Sequence, residues 1–185
     1  MFPGQFEGLG SGFTIKMAAH TFHLITLYMS NKKERESHHG TDRLNVNKLL
    51  KRKVIPDQSS PHQGQQDAEE SKLVHDEIQY VVTDVVKELC QTIDAFIFVT
   101  DSSVDHETEL NAMISEECVK PDIPLAVLSC TSDAESTYIS CVDVVSILEL
   151  SRLNRPWQIH HCVVESMSGV AEAVQWLSET TAEIS

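Results

Sequence analysis

The stretch Asn154-Arg155-Pro156-Trp157-Gln158-Ile159-His160-His161-Cys162-Val163-Val164-Glu165-Ser166-Met167-Ser168-Gly169, running on to Gln175-Trp176-Leu177-Ser178, decides the fold. It reads as a strand over 157–164, a loop of small residues, and an amphipathic helix over 168–184. That order is the closing unit of a parallel α/β sheet.

Upstream, the same alternation repeats. Residues 93–100 (Ile-Asp-Ala-Phe-Ile-Phe-Val-Thr) and 125–130 (Leu-Ala-Val-Leu-Ser-Cys) are apolar runs of strand length, as expected where both faces are covered. The spacing predicts helices over 104–119, with Leu110, Met113, Ile114 and Cys118 inward, and over 138–153, with Val142, Val145, Leu148 and Leu153 inward. The longest helix is predicted over 71–91, on a stripe of Val74, Ile78, Val81, Val82, Val85, Val86 and Leu89. Helices between successive strands make a parallel sheet with helices on both faces.

The amino-terminal part reads differently. Residues 1–12 are glycine-rich and predicted to be a loop. Phe13-Thr14-Ile15-Lys16-Met17 alternates as a strand with one wet face, Ala18-Ala19-His20 turns, and the almost continuously apolar 22–29 is expected to be covered on both faces. This predicts an antiparallel hairpin at the sheet edge. Residues 31–40 read as a loop, 41–53 as a short helix, and 54–71 as a flexible linker rich in Gln, Ser and Pro. The expected fold is one α/β domain over 1–185: three layers around a mostly parallel sheet of about five strands.

Charge is unevenly placed in this chain of 185 residues and net charge −14. Residues 1–53 hold nine Lys/Arg against four Asp/Glu, and 54–185 hold five against 24. The acidic majority repels phosphate backbones and argues against a nucleic-acid surface. The cations of Lys48-Leu49-Leu50-Lys51-Arg52-Lys53 have three readings: a nuclear import signal, a patch for an acidic partner, or the solvated end of a helix. The five cysteines are odd in number and far apart, which fits reduced thiols and a cytoplasmic or nuclear location. No apolar run approaches the ~20 residues of a membrane span, and no membrane partner is expected.

Catalytic constellations are thin. Neighbouring side chains of a strand point to opposite faces, so of His160, His161 and Cys162 only His160 and Cys162 share a side, too few to hold zinc. No glycine elbow surrounds Ser129 or Cys130 as a nucleophile would require, and Cys130 reads as a small core residue. Asp101, Asp105 and Glu107 could line a crevice at a strand end, and as an acidic helix start they need no function. His38 and His39 sit in a polar stretch. No cofactor or metal is expected.

In order and wording, residues 154–178 resemble the final strand, loop and last helix of Arf-like small GTPases. The resemblance implies a nucleotide-binding fold whose gripping residues can be sought one by one. No Gly-x-x-x-x-Gly-Lys-Ser/Thr loop occurs. After the hairpin, Met29-Ser30-Asn31-Lys32 offers no Asp-x-x-Gly for magnesium and γ-phosphate. After the next-to-last strand, Cys130-Thr131-Ser132-Asp133 keeps only Asp133 of the amide, lysine and carboxylate that hold guanine.

Five pieces in order sharpen the match: Gly8-Leu9-Gly10-Ser11-Gly12, Phe22 to Ser30 with Lys33-Glu34-Arg35, Asp94-Ala95-Phe96-Ile97-Phe98-Val99, Pro124 to Cys130, and Leu153-Asn154-Arg155-Pro156-Trp157 with the closing Trp176. They resemble the C-terminal, atypical small-GTPase-like domain of the F-box only protein 4 family. The resemblance implies a non-catalytic pseudo-GTPase that recognises substrates for an SCF-type ubiquitin ligase, telomere repeat-binding factor and D-type cyclins among them. It implies recruitment of a Skp-type adaptor and cullin through an F-box, and no F-box-like helical segment lies in these 185 residues. Only twelve residues precede Phe13, whereas a first strand, phosphate loop and first helix need about 20–30. The expected domain therefore lacks those elements, is marginal when produced alone, and binds substrate without promoting ubiquitination. Two other readings remain: an adaptin-binding-like trafficking adaptor and a degenerate nucleotide-binding GTPase. For the protein-binding reading, Phe13, Thr14, Ile15, Lys16 and Met17 are the candidate contact residues, offering a sheet edge for strand addition.

Overall fold

The computed structural model describes residues 9–17, 20–29, 44–45, 47–55, 77–101, 107–115, 118–132 and 139–184. Its centre is a parallel sheet of β5 (Phe96–Asp101), β6 (Leu125–Thr131) and β7 (Trp157–Val163), in the order β5-β6-β7. The middle strand is buried along almost its whole length, as its apolar run requires. One face carries Phe98, Leu125 and Val127 against Leu110, Ile114, Val144, Leu148 and Leu150. The other carries Ala126, Leu128 and Cys162 against Ala173 and Leu177. The helices that cover the sheet are α2 (Glu107–Met113) and α3 (Cys141–Ile147) on the first face and α4 (Val170–Ile184) on the second. This is the expected three-layer α/β arrangement.

The amino-terminal hairpin also forms. Strand β1 (Leu9–Met17) pairs antiparallel with β2 (His20–Leu27). The strand begins earlier than the glycines suggest, and the pairing shifts register between Leu9 and Gly12. Gly10 lets the ring of Tyr28 lie close over the strand, where a Cβ would make that ring shift. Strand β2 is not covered on both faces: His23 and Ile25 are exposed while Phe22, Leu24 and Thr26 are half-buried. Its apolar run forms a one-sided strand because the hairpin is a two-stranded sheet of its own.

Residues 71–91 depart most from expectation. Instead of one long helix, β4 (Glu77–Val82) is followed by α1 (Asp84–Cys90). Ile78-Gln79-Tyr80-Val81-Val82 is β-branched and aromatic, and such side chains fit a pleated surface better than a helix. Thr83, extended at φ −66° and ψ 152°, separates strand from helix. The partner of β4 is β3 (Leu50–Ile55), so Lys51-Arg52-Lys53 lies on a strand and not at the end of a helix. Among the described residues of the expected 41–53 helix, Leu44 and Asn45 are helical and 47–53 are not, 41–43 and 46 lying outside the described residues; the expected linker overlaps β3 at Val54 and Ile55, its remainder also lying outside them. Among the described residues there are thus seven strands in three sheets, against about five expected in one.

Two helices are shorter than predicted. Beyond α2, Cys118 is buried in a turn, not on the helix. Helix α3 is capped by the Ser140 hydroxyl, which accepts from the Asp143 amide at 3.2 Å. It ends before Glu149, whose left-handed backbone (φ 49°) starts the 3₁₀ turn Leu150–Arg152. Val142 faces solvent, and Val144 takes the inward position.

A third core joins the hairpins to the body. Leu49, Leu50, Val82, Val86, Cys90, Met113, Cys118, Val119 and Ile123 cluster, with Leu27 and Met29 packed against them. Strands β2 and β5 do not pair, and the outer edge of β5 has no neighbour among the described residues.

Candidate functional site

The candidate contact strand is the outer strand of the first hairpin. Phe13 pairs with Leu24, Thr14 with His23, Ile15 with Phe22, Lys16 with Thr21 and Met17 with His20. Phe13, Thr14 and Lys16 are exposed and Ile15 is half-buried. Thr14 Oγ1 and His23 Nδ1 share a hydrogen bond at 3.2 Å across the wet face. The far edge of β1 has no neighbouring strand among the described residues, and an unpaired edge of this kind is a template for strand addition.

The crevice expected of a nucleotide fold lies at the carboxyl ends of β5, β6 and β7. Register brings Thr100, Ser129 and His161 into one row there. Thr131, two residues beyond Ser129, bonds His161 Nε2 through Oγ1 at 3.3 Å. Thr100 donates to the Asp101 carbonyl at 3.0 Å. The Ser129 hydroxyl is fully buried and has no hydrogen-bond partner. Three hydroxyls and an imidazole can orient a small polar group, but they bring no fixed cation to balance phosphate charge. Sequence reading missed this row because cross-strand register is not written in any one segment.

Asp133, the remnant carboxylate of the guanine site, lies outside the described residues, as do 30–43 with His38 and His39, and Asp105. Asp101 is exposed, and Glu107 accepts from Asn111 Nδ2 at 3.4 Å along α2. The loop after β7 is held by backbone bonds from Val164 to the Thr131 carbonyl (2.9 Å) and from Glu165 to the Ser132 carbonyl (3.2 Å). Met167 (φ 57°) and Gly169 (φ +84°) both turn left-handed there.

His160 and Cys162 share the α4 side of the sheet, as alternation requires, and His160 Nε2 bonds Gln158 Oε1 at 3.0 Å. Burial holds the His160 imidazole below its ordinary value, with Glu172 pulling the other way. Burial pushes the Cys162 thiol up to about 11, helped by the neighbouring Cys130. Cys130 is raised by burial too, against a hydrogen bond with Cys162. Both shifts disfavour the thiolate, the form in which a cysteine acts as a nucleophile. Among the described residues no group of three His, Cys, Asp or Glu is disposed to hold a metal ion.

Arg155 anchors the turn before β7. Its guanidinium donates to the Ile114 carbonyl at 2.7 Å and the Ile123 carbonyl at 3.4 Å. The Leu125 amide donates to the Pro156 carbonyl at 2.9 Å, tying β6 to the same turn.

With this sheet and its flanking helices in place, the family model of the ADP-ribosylation factor family matches residues 79–181, more than half of the chain. The chain belongs to the ADP-ribosylation factor family. This family member is also similar to F-box only protein 4 of Bos taurus, 25% identical over 183 residues, and of Homo sapiens, 26% identical over 183 residues. Each alignment covers 95% of this chain and 43% of the relative, so the chain spans less than half the length of those proteins. ADP-ribosylation factor-like protein 3 of Chlamydomonas reinhardtii is 30% identical over 90 residues, 45% of this chain and 50% of that protein.

Proposed function

We propose that this ADP-ribosylation-factor-family domain is a non-catalytic pseudo-GTPase that binds proteins, serving as the substrate-recognition part of an SCF-type F-box ubiquitin ligase. One observation carries the reading. Likeness to F-box only protein 4 runs along 95% of the chain, while Met29-Ser30-Asn31-Lys32 after the hairpin's second strand offers no Asp-x-x-Gly. In this reading binding energy comes from the outer surface, and the open edge of β1 is the surface proposed here.

In this reading the partners are protein substrates of ubiquitination, with telomere repeat-binding factor and D-type cyclins the first to try. The Skp-type adaptor and cullin are reached through an F-box elsewhere in the ligase. The proposed location is the cytoplasm, with the nucleus as a second compartment, on the reading of the five dispersed cysteines as reduced thiols.

The test titrates the 185-residue chain in parallel with guanosine nucleotide plus magnesium and with the two candidate substrates. The expected result is protein binding and no nucleotide binding. Micromolar GTP affinity with no protein binding would replace this proposal by a nucleotide-dependent function.

A further inference from the structure

The β3–β4 pair is built as a projecting arm. Its base is fixed: Leu50 and Val82 pair directly and are both buried in the core with Leu49 and Val86. The Thr83 amide donates to the Leu49 carbonyl at 2.9 Å and closes the base. Beyond it, Lys51, Arg52, Lys53 and Val54 are all exposed, as are Ile78 and Gln79 opposite. A strand lying on a body alternates buried and exposed. Four exposed positions in a row leave both faces of β3 in solvent there, while Tyr80 and Val81 of β4 stay half-buried.

The two faces differ. One carries Leu50/Val82, then Arg52/Tyr80, then Val54/Ile78. The other carries Lys51/Val81, Lys53/Gln79 and Ile55/Glu77. The first is the core-facing strip, continued past the edge of the core. Tyr80 still packs there, while Val54 and Ile78 are 48% and 47% exposed and sit side by side. Lys51, on the second face, is engaged with Asp84 at 3.0 Å. Among the described residues Arg52 has no ion-pair partner.

We propose that this face docks an acidic, extended segment of a partner protein, with a carboxylate on Arg52 and an apolar side chain on Val54 and Ile78. Charge fixes the chemistry of the occupant. The chain is at −14, and its Lys/Arg are scarce beyond residue 53, so the exposed guanidinium of Arg52, next to Val54 and Ile78 on the same face, is a local exception that attracts a carboxylate. Arginine takes a carboxylate through two parallel hydrogen bonds, which sets the register of the segment. The adjoining Val54/Ile78 pair then requires an apolar residue next to that carboxylate, and this separates a specific partner from any polyanion. An isolated two-stranded ribbon is marginal in water, so covering this face also stabilises the arm. The surface is separate from the β1 edge and stands or falls independently of it.

The experiment uses fluorescence anisotropy of a short labelled peptide alternating glutamate and valine, titrated with the 185-residue chain. Binding is expected, with Kd raised about tenfold or more by Arg52→Glu, the loss of one charge-assisted pair. The double variant Val54→Thr/Ile78→Thr weakens it as well, and Val142→Thr, at an exposed apolar position on α3, leaves it unchanged. Far-UV circular dichroism of each variant shows the fold kept, since the changed side chains are exposed. No binding, equal binding by polyglutamate, or an unchanged Kd in Arg52→Glu overturns the proposal. So does stronger retention on phosphatidylserine vesicles or duplex DNA, or self-association of the chain through the same residues.

Discussion

Gly169 lies against Cys162 so tightly that a Cβ at residue 169 would sit 2.9 Å from the Cys162 sulfur. The same Cβ would collide with the His161 carbonyl oxygen. The contact arises because the loop after β7 folds back, with Val163 bridging Ser168, before α4 starts. At φ +84° the backbone is also one that side chains rarely adopt. Gly169→Ala should therefore cost about 1–3 kcal/mol, combining left-handed strain with the collision. Urea unfolding followed by circular dichroism measures it. A midpoint equal to that of the natural chain would mean the loop relaxes freely.

Arg155 should matter for stability in the same range. Its guanidinium holds two carbonyls, those of Ile114 and Ile123, that lie on either side of the turn leading to β6. Arg155→Ala leaves both without this donor and should destabilise by about 1.5–3 kcal/mol. Arg155→Lys should recover only part, because an ammonium lacks the planar fork. Equal midpoints for the alanine and lysine variants would show that the fork geometry is irrelevant.

How much of this was legible in the sequence depended on whether one segment held the whole signal. Leu125-Ala126-Val127-Leu128 could only be a buried strand, and it is the central one. The alternation of Phe13-Thr14-Ile15-Lys16-Met17 gave the hairpin. The 78–89 stripe misled because Ile78, Val81, Val82, Val85, Val86 and Leu89 suit a helical period while their β-branching favours a strand. The partner that resolves the ambiguity, Leu50–Ile55, is more than twenty residues upstream and highly charged. Its own alternation is invisible because the arm has no dry face beyond Leu50. The polar row of Thr100, Ser129 and His161 needs the register of three strands, which no local pattern contains.

The Cys162 thiol makes stability fall at alkaline pH. Its folded value is raised from 9.0 to about 11, chiefly by burial. Between those values the unfolded chain has lost the proton while the folded chain keeps it, so unfolding gains as pH rises. The contribution is complete below pH 9.0 and is lost as pH approaches 11. The natural chain and Cys162→Ala, compared by urea midpoint from neutral to alkaline pH, should converge as this contribution disappears. A constant gap across the series would remove Cys162 as a source of the pH dependence.

Strand addition at β1 makes a prediction that simple loss of folding cannot imitate. In an antiparallel pair, successive residues alternate between turning their amide to the partner strand and turning it outward. Thr14 and Ile15 are adjacent and paired with His23 and Phe22, so one of the two amides faces β2 and the other faces the open edge. Proline removes an amide and is tolerated only where that amide is not bonded. Of Thr14→Pro and Ile15→Pro, one should disrupt the hairpin and lower the thermal midpoint. The other should keep the midpoint close to that of the natural chain and still abolish binding of a protein substrate. Calorimetry and a binding titration on the two variants separate these outcomes. A proline variant that stays folded and binds normally would remove the β1 edge as the contact surface, and the search would pass to the outer edge of β5.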